Sequence, residues 1–140
     1  MTSDDAPGGG VRRRARERAL QALYQTDLGG GEPFRVYWES FGDDDAPASE
    51  QAEALVDAFE RHRERIDALI EECSTHWRLD RMAKVDRNIL RLAAGEMIAA
   101  TAPKSVVINE AVEIAKRYGA EGSPAFVNGV LDRLATRIGL

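Results

Sequence analysis

Apolar residues recur every three or four positions along nearly the whole chain, and no stretch shows the two-residue alternation of a strand. The pattern predicts an all-α fold of six or seven short helices. A first helix is predicted over residues 11–28, with Ala15, Ala19, Leu20, Ala22 and Leu23 on one apolar arc and Gly29, Gly30 and Gly31 as its stop. A second, short helix follows Pro33, carrying Phe34, Tyr37, Trp38 and Phe41 on one face, and Gly42 ends it. Residues 43–47 (DDDAP) read as an acidic surface loop. Residues 49–73 keep helical spacing through Ala52, Leu55, Val56, Phe59, Ile66, Leu69, Ile70 and Cys73, and the stretch RHRER after Phe59 leaves room for a break.

Residues 75–84 have room for one helical turn begun by Asp80. Residues 85–100 are apolar on most sides, which predicts a central helix. Ser105 is placed to cap the next helix, whose stripe is Ile108, Ala111, Val112 and Ala115 and whose C-cap is Gly119. Ser123 as N-cap and Pro124 as first residue open the last helix, with Phe126, Val127, Val130, Leu131, Leu134 and Ile138 on its stripe. Gly129 inside that helix costs ~1 kcal/mol relative to alanine, which predicts that another backbone approaches it closely.

Composition narrows the class. At 44% apolar and 31% charged, the 140 residues describe a globular chain, not a disordered one. No apolar run approaches the ~20 residues that span a bilayer, so no membrane role is expected. The start, MTSDDAPGGG, has no signal-peptide core and reads as a flexible leader (1–10) ahead of one domain over 11–140. The single cysteine excludes an internal disulfide framework and points to the cytoplasm. Cys73, His62 and His76 are too few for a structural zinc site, and Cys73 on an apolar stripe reads as a buried thiol. No Gly-rich phosphate loop, paired carboxylate or nucleophile with its base is legible, so neither an enzyme nor a cofactor is expected.

Charge is where the chain departs from its own trend. Against 19 Lys+Arg and 24 Asp+Glu, a net charge of -5, the first helix opens with Arg12, Arg13, Arg14, Arg16 and Arg18. Cations at a helix N-terminus oppose the helix dipole, at ~0.3–1 kcal/mol for each one near the end. Arg12 and Arg16 fall on the apolar arc, and burying either unpaired is energetically prohibitive. The expectation is therefore a helix start that projects beyond the core, its guanidinium groups facing outward in several directions. A solvated helix end neutralised by Glu17 is one reading. The other is a polyanion site, since guanidinium forks pair bidentately with phosphate oxygens. RNA fits better than duplex DNA, because no helix-turn-helix or zinc module is present. Tyr24 lies just off the apolar arc, open to a partner contact or to rim packing. Tyr118 and Phe126 flank residues 119–123, and base contact and core packing are both open to them.

Four segments in this order, RRRARERALQALYQTD, KVDRNILRLAAGEM, PKSVVINEAVEIAKRYGAE and FVNGVLDRLA, closely resemble the NusB family of bacterial transcription antitermination factors. The resemblance runs from about Arg12 to Leu134. It implies an all-helical fold of two small bundles and a non-enzymatic role. It implies pairing with NusE, a ribosomal protein, and joint binding of the boxA element of nascent RNA. The complex then helps RNA polymerase read through terminators, notably in ribosomal RNA operons. The family's arginine-rich RNA-binding motif maps onto Arg12, Arg13, Arg14 and Arg16, and its further RNA-facing positions onto Tyr118 and Phe126. The face toward NusE maps onto Tyr24 and Asp86. Gly122 is a departure, standing where family members often carry a polar or acidic residue.

Two other functions compete. A NusB-like module also fronts some ribosomal RNA cytosine methyltransferases, and INEAVEIAK and FVNGVL occur in both groups. The chain stops at Leu140, and the expectation is that no cofactor-binding α/β domain follows. A homodimer that hides the RNA surface is the third reading, with Trp38 and Phe41 available to it or to the internal core.

Overall fold

The computed structural model describes residues 10–27, 45–75 and 77–140. Among them are six α-helices and one 3-10 turn, and no strand. The helices are α1 (Val11–Asp27), α2 (Ala46–Glu60), α3 (Arg63–Cys73), α4 (Lys84–Ala99), α5 (Lys104–Tyr118) and α6 (Ser123–Arg137), with the 3-10 turn at Leu79–Arg81. The all-α expectation holds. The second helix expected after Pro33, with its four aromatics, and the leader up to residue 9 lie outside the described residues, as does His76.

The chain divides into two compact units, Met1–Asp57 and Ala58–Leu140. In the first, α1 buries Val11, Ala15, Ala19, Leu20, Ala22 and Leu23, which is the arc read from the sequence. The small residues Ala48 and Ala52 and the larger Val56 are buried along α2. This helix starts earlier than its apolar stripe suggests. Asp45 precedes it and accepts the Ala48 N–H (3.4 Å), so Ala46 and Pro47 belong to its first turn instead of an acidic loop.

In the second unit α4 is central, packing on α3, α5 and α6, while α6 also meets α3 and α5. Every residue of α4 from Asn88 to Met97 is buried, which accounts for its lack of a polar face. The expected break after Phe59 falls at Arg61 and His62, between α2 and α3. Cys73 closes α3 as a free, buried thiol, and burial pushes its pKa up. Its carbonyl accepts the Arg133 Nε–H at 2.6 Å, a cation satisfying the end of a helix. The central helix ends at Ala100 in a left-handed conformation (φ 56°), with Thr101 N–H reaching Glu96 and Ala100 N–H reaching Met97.

Two interior glycines have roles opposite to what their positions suggest. Among the described residues no backbone comes near Gly129, contrary to expectation; a Cβ there would touch the Arg133 guanidinium, at 3.5 Å or more. Gly95 in α4 is where a backbone does approach, since its Cβ would sit 3.0 Å from Phe59 N and 3.1 Å from Phe59 Cα. Gly129→Ala should therefore raise stability by about 1 kcal/mol, the helix-propensity gain. Gly95→Ala should lower it by ~1–3 kcal/mol despite the same gain, because two backbones must separate. Urea unfolding of the two variants checks the opposite signs.

Candidate nucleic-acid interface

The arginine cluster occupies the first two turns of α1, which has no acidic residue in its first turn. The structure does not point all of it outward. Arg16 is 7% exposed and has interactions within the fold. The expectation that Arg16 faces outward is corrected: the burial cost falls on an unpaired charge, and this one is not unpaired. Arg14 Nε bonds Asp45 Oδ2 at 2.6 Å, and Arg18 donates to the buried Ser49 hydroxyl at 3.0 Å. Arg14 and Arg18 thus hold the start of α2 beside α1, within the unit Met1–Asp57. Arg12 is exposed, and Arg13, Arg14 and Arg18 are half-buried.

Asp45 has two tasks, capping α2 and neutralising Arg14. The Arg14 hydrogen bond holds its carboxyl below the ordinary 3.8, against desolvation, which raises it; the Ala48 N–H and the charges of Arg14 and Arg18 add to the lowering. A folded-state pKa below the unfolded one means the clasp stabilises fully above about pH 4 and is lost as pH falls through the lowered value. Asp45→Asn should therefore melt lower than the native chain at pH 7, with the gap closing in more acidic buffer. A gap independent of pH would show the clasp to be neutral.

The second group of predicted residues lies in the other unit. Tyr118, the last residue of α5, is 43% exposed, and Phe126 on the first turn of α6 is half-buried. The turn between them is tight for a steric reason. A Cβ on Gly119 would meet the Ser123 side chain at 2.6 Å and the Ala115 carbonyl at 2.8 Å. Gly119 is extended (φ -91°, ψ -177°), so it is a C-cap through space and not through left-handed backbone. Ser123 is the first helical residue, with Gly122 as N-cap; its buried hydroxyl accepts the Ala120 N–H at 3.0 Å and so braces the turn. Ser105 likewise caps nothing, since Pro103 holds the N-cap position of α5. Among the described residues nothing approaches Gly122 within 4 Å, so a side chain there would meet none of them.

Tyr24 is half-buried on α1. Asp86, half-buried in the first turn of α4, has a buried Oδ1 with no hydrogen-bond partner among the described residues. The exposed Trp77 was not singled out from the sequence, where nothing separates a displayed tryptophan from a core one. Among the described residues no group of three or more His, Cys, Asp or Glu could hold a metal ion, and no helix is long and apolar enough to cross a membrane.

Fold and charge together define a class: an all-helical protein with a basic helix start in an otherwise acidic chain. The NusB family model matches residues 13–136, and the chain belongs to the NusB family. The transcription antitermination protein NusB of Anaeromyxobacter dehalogenans is 53% identical over 128 residues, covering 89% of this chain and 90% of that one. Among solved structures, T. maritima NusB matches with a TM-score of 0.80 and 41% identity, covering 89% of this chain and 90% of that one. A crystal structure of the antitermination factors NusB and NusE in complex with dsRNA matches with a TM-score of 0.79 and 36% identity, over 91% of this chain and 97% of that chain.

Proposed function

We propose that this chain is a cytoplasmic, non-enzymatic antitermination factor that binds RNA together with NusE. The observation that carries the reading is the family membership over residues 13–136, joined to the arginine-rich start of α1. A related NusB is bound to NusE and dsRNA in its crystal structure, and curated relatives are named as antitermination proteins along about nine-tenths of their length. That coverage favours the antitermination factor over a methyltransferase targeting module.

The boxA element of ribosomal RNA operons is the proposed RNA, and the RNA polymerase antitermination complex the proposed assembly. Arg12 and Arg13 face phosphates, while Arg14 and Arg16 position them from within the fold. Tyr118 offers a ring to an unstacked base, and Phe126 the edge of one. Tyr24 and Asp86 face NusE. Asp86 supports this role as a half-exposed acidic side chain at the start of α4, suited to a basic partner. The test is a titration of single-stranded boxA RNA with and without NusE at several salt concentrations. Tighter binding with NusE and a steep loss with salt are expected; equal affinity for a scrambled RNA would reject sequence recognition.

A further inference from the structure

Trp77 is 50% exposed, although an indole is favourably buried wherever a fold has room for it. The described residues on either side of it are held in place. The buried Ser74 hydroxyl donates to the Trp77 carbonyl at 2.8 Å, and the Leu79 N–H donates to the Glu71 carboxylate at 2.9 Å. The following 3-10 turn closes through Arg81 N–H to Arg78 O (3.0 Å) and Met82 N–H to Leu79 O (3.2 Å), with Met82 buried beneath it. Trp77 is therefore displayed with its own carbonyl anchored and a hydrogen-bonded 3-10 turn behind it.

Its neighbours along the turn are cations. Arg78, Arg81 and Lys84 are all exposed. Arg78 precedes the 3-10 turn, Arg81 ends it and Lys84 opens α4 after the extended residue Met82 and Ala83. Asp80 pairs with Arg78 at 3.4 Å, but both are more than two-thirds exposed and such pairs hold weakly. Arg81 and Lys84 make no ion pair among the described residues. Lys84 opens α4, where Ala83 offers no side-chain cap, so the positive end of the helix adds to the same field. The nearby apolar side chains, Met82 and Leu79, are buried or half-buried, so Trp77 stands among charges and not in an apolar patch. A protein docking face places aromatics in an apolar centre; an exposed indole on a turn that also displays Arg78, Arg81 and Lys84, with Asp80 and Glu71 as the acids among them, suits a base and its phosphates.

We propose that Trp77 stacks a base of single-stranded RNA while Arg78, Arg81 and Lys84 bind the adjoining phosphates, a second contact surface separate in the chain from the arginines of α1. This rests on the RNA-binding reading above. Trp38→Phe leaves Trp77 as the sole indole, because the chain has 2 tryptophans. In that background, boxA RNA flanked by unstructured uridines should quench Trp77 emission in step with the rise in anisotropy of a dye on the RNA. Trp77→Ala should weaken binding about tenfold, and Trp77→Phe should restore most of it. Arg81→Gln with Lys84→Gln should flatten the salt dependence. RNA bound with unaltered Trp77 emission and no loss in Trp77→Ala would overturn the proposal and leave the function standing. Quenching by NusE alone, and not by RNA, would make the surface a protein contact and also overturn it. No RNA binding by any form would defeat both readings.

Discussion

Asp67→Ala will lower the unfolding free energy by about 3–5 kcal/mol, the cost of removing one partner from a buried ion pair. Arg91 on α4 is only 6% exposed, and its guanidinium meets both Asp67 oxygens on α3, at 2.9 and 3.0 Å. It also donates to Asn88 Oδ1 at 3.1 Å and lies 5.3 Å from the centre of the Phe59 ring, which Arg63 approaches at 5.2 Å as well. Removing the carboxylate leaves a buried cation without its counter-charge. Arg91→Met should cost less, because Asp67 keeps 22% of its side chain exposed and can be rehydrated. The double variant should then be more stable than the two single losses summed. A loss below ~1 kcal/mol for Asp67→Ala would show the pair to be solvated. The same network ties the end of α2, α3 and the first half of α4 together, and so fixes the turn that carries Asp86.

The apolar stripes told most of the fold, because burying a regularly spaced apolar face is a local property of each helix. Ala15 to Leu23 on α1, the all-round burial of α4 and the break at Arg61 and His62 were all legible that way. Charged residues were not, because their fate is decided by partners far along the chain. Arg91 and Asp67 are 24 positions apart, and Arg14 and Asp45 are 31 apart. No periodicity announces such pairs, so Arg16 was expected at the surface and is buried. The reading of Gly129 failed for the same reason. Gly95 and Gly129 look alike in a helical pattern, and only the approach of Phe59 distinguishes them. Cap assignments at Ser105 and Ser123 slipped by a residue or two, where serine competes with its neighbours for the same backbone groups.

Arg12→Glu with Arg13→Glu will weaken boxA RNA binding on the order of 100-fold or more while leaving the fold intact. The double substitution is chosen by geometry. Arg14 and Arg18 clasp Asp45 and Ser49 at the start of α2 and Arg16 is buried, so altering them would disturb α1 against α2. Arg12 is exposed and Arg13 half-buried in the first turn of α1. Each lost charge-assisted bond to a phosphate is worth about 1.5–3 kcal/mol, and two together give the stated loss. Releasing two fewer counterions should also flatten the plot of log affinity against log salt by roughly 1.4, at ~0.7 per single-strand phosphate. Stability should hold or rise slightly, because two acids replace two bases at the positive end of a helix with no acid in its first turn. Arg14→Glu should instead lose stability as well, by setting two carboxylates against each other at Asp45. Native affinity and an unchanged salt slope in the double variant would mean that α1 does not grip the RNA backbone.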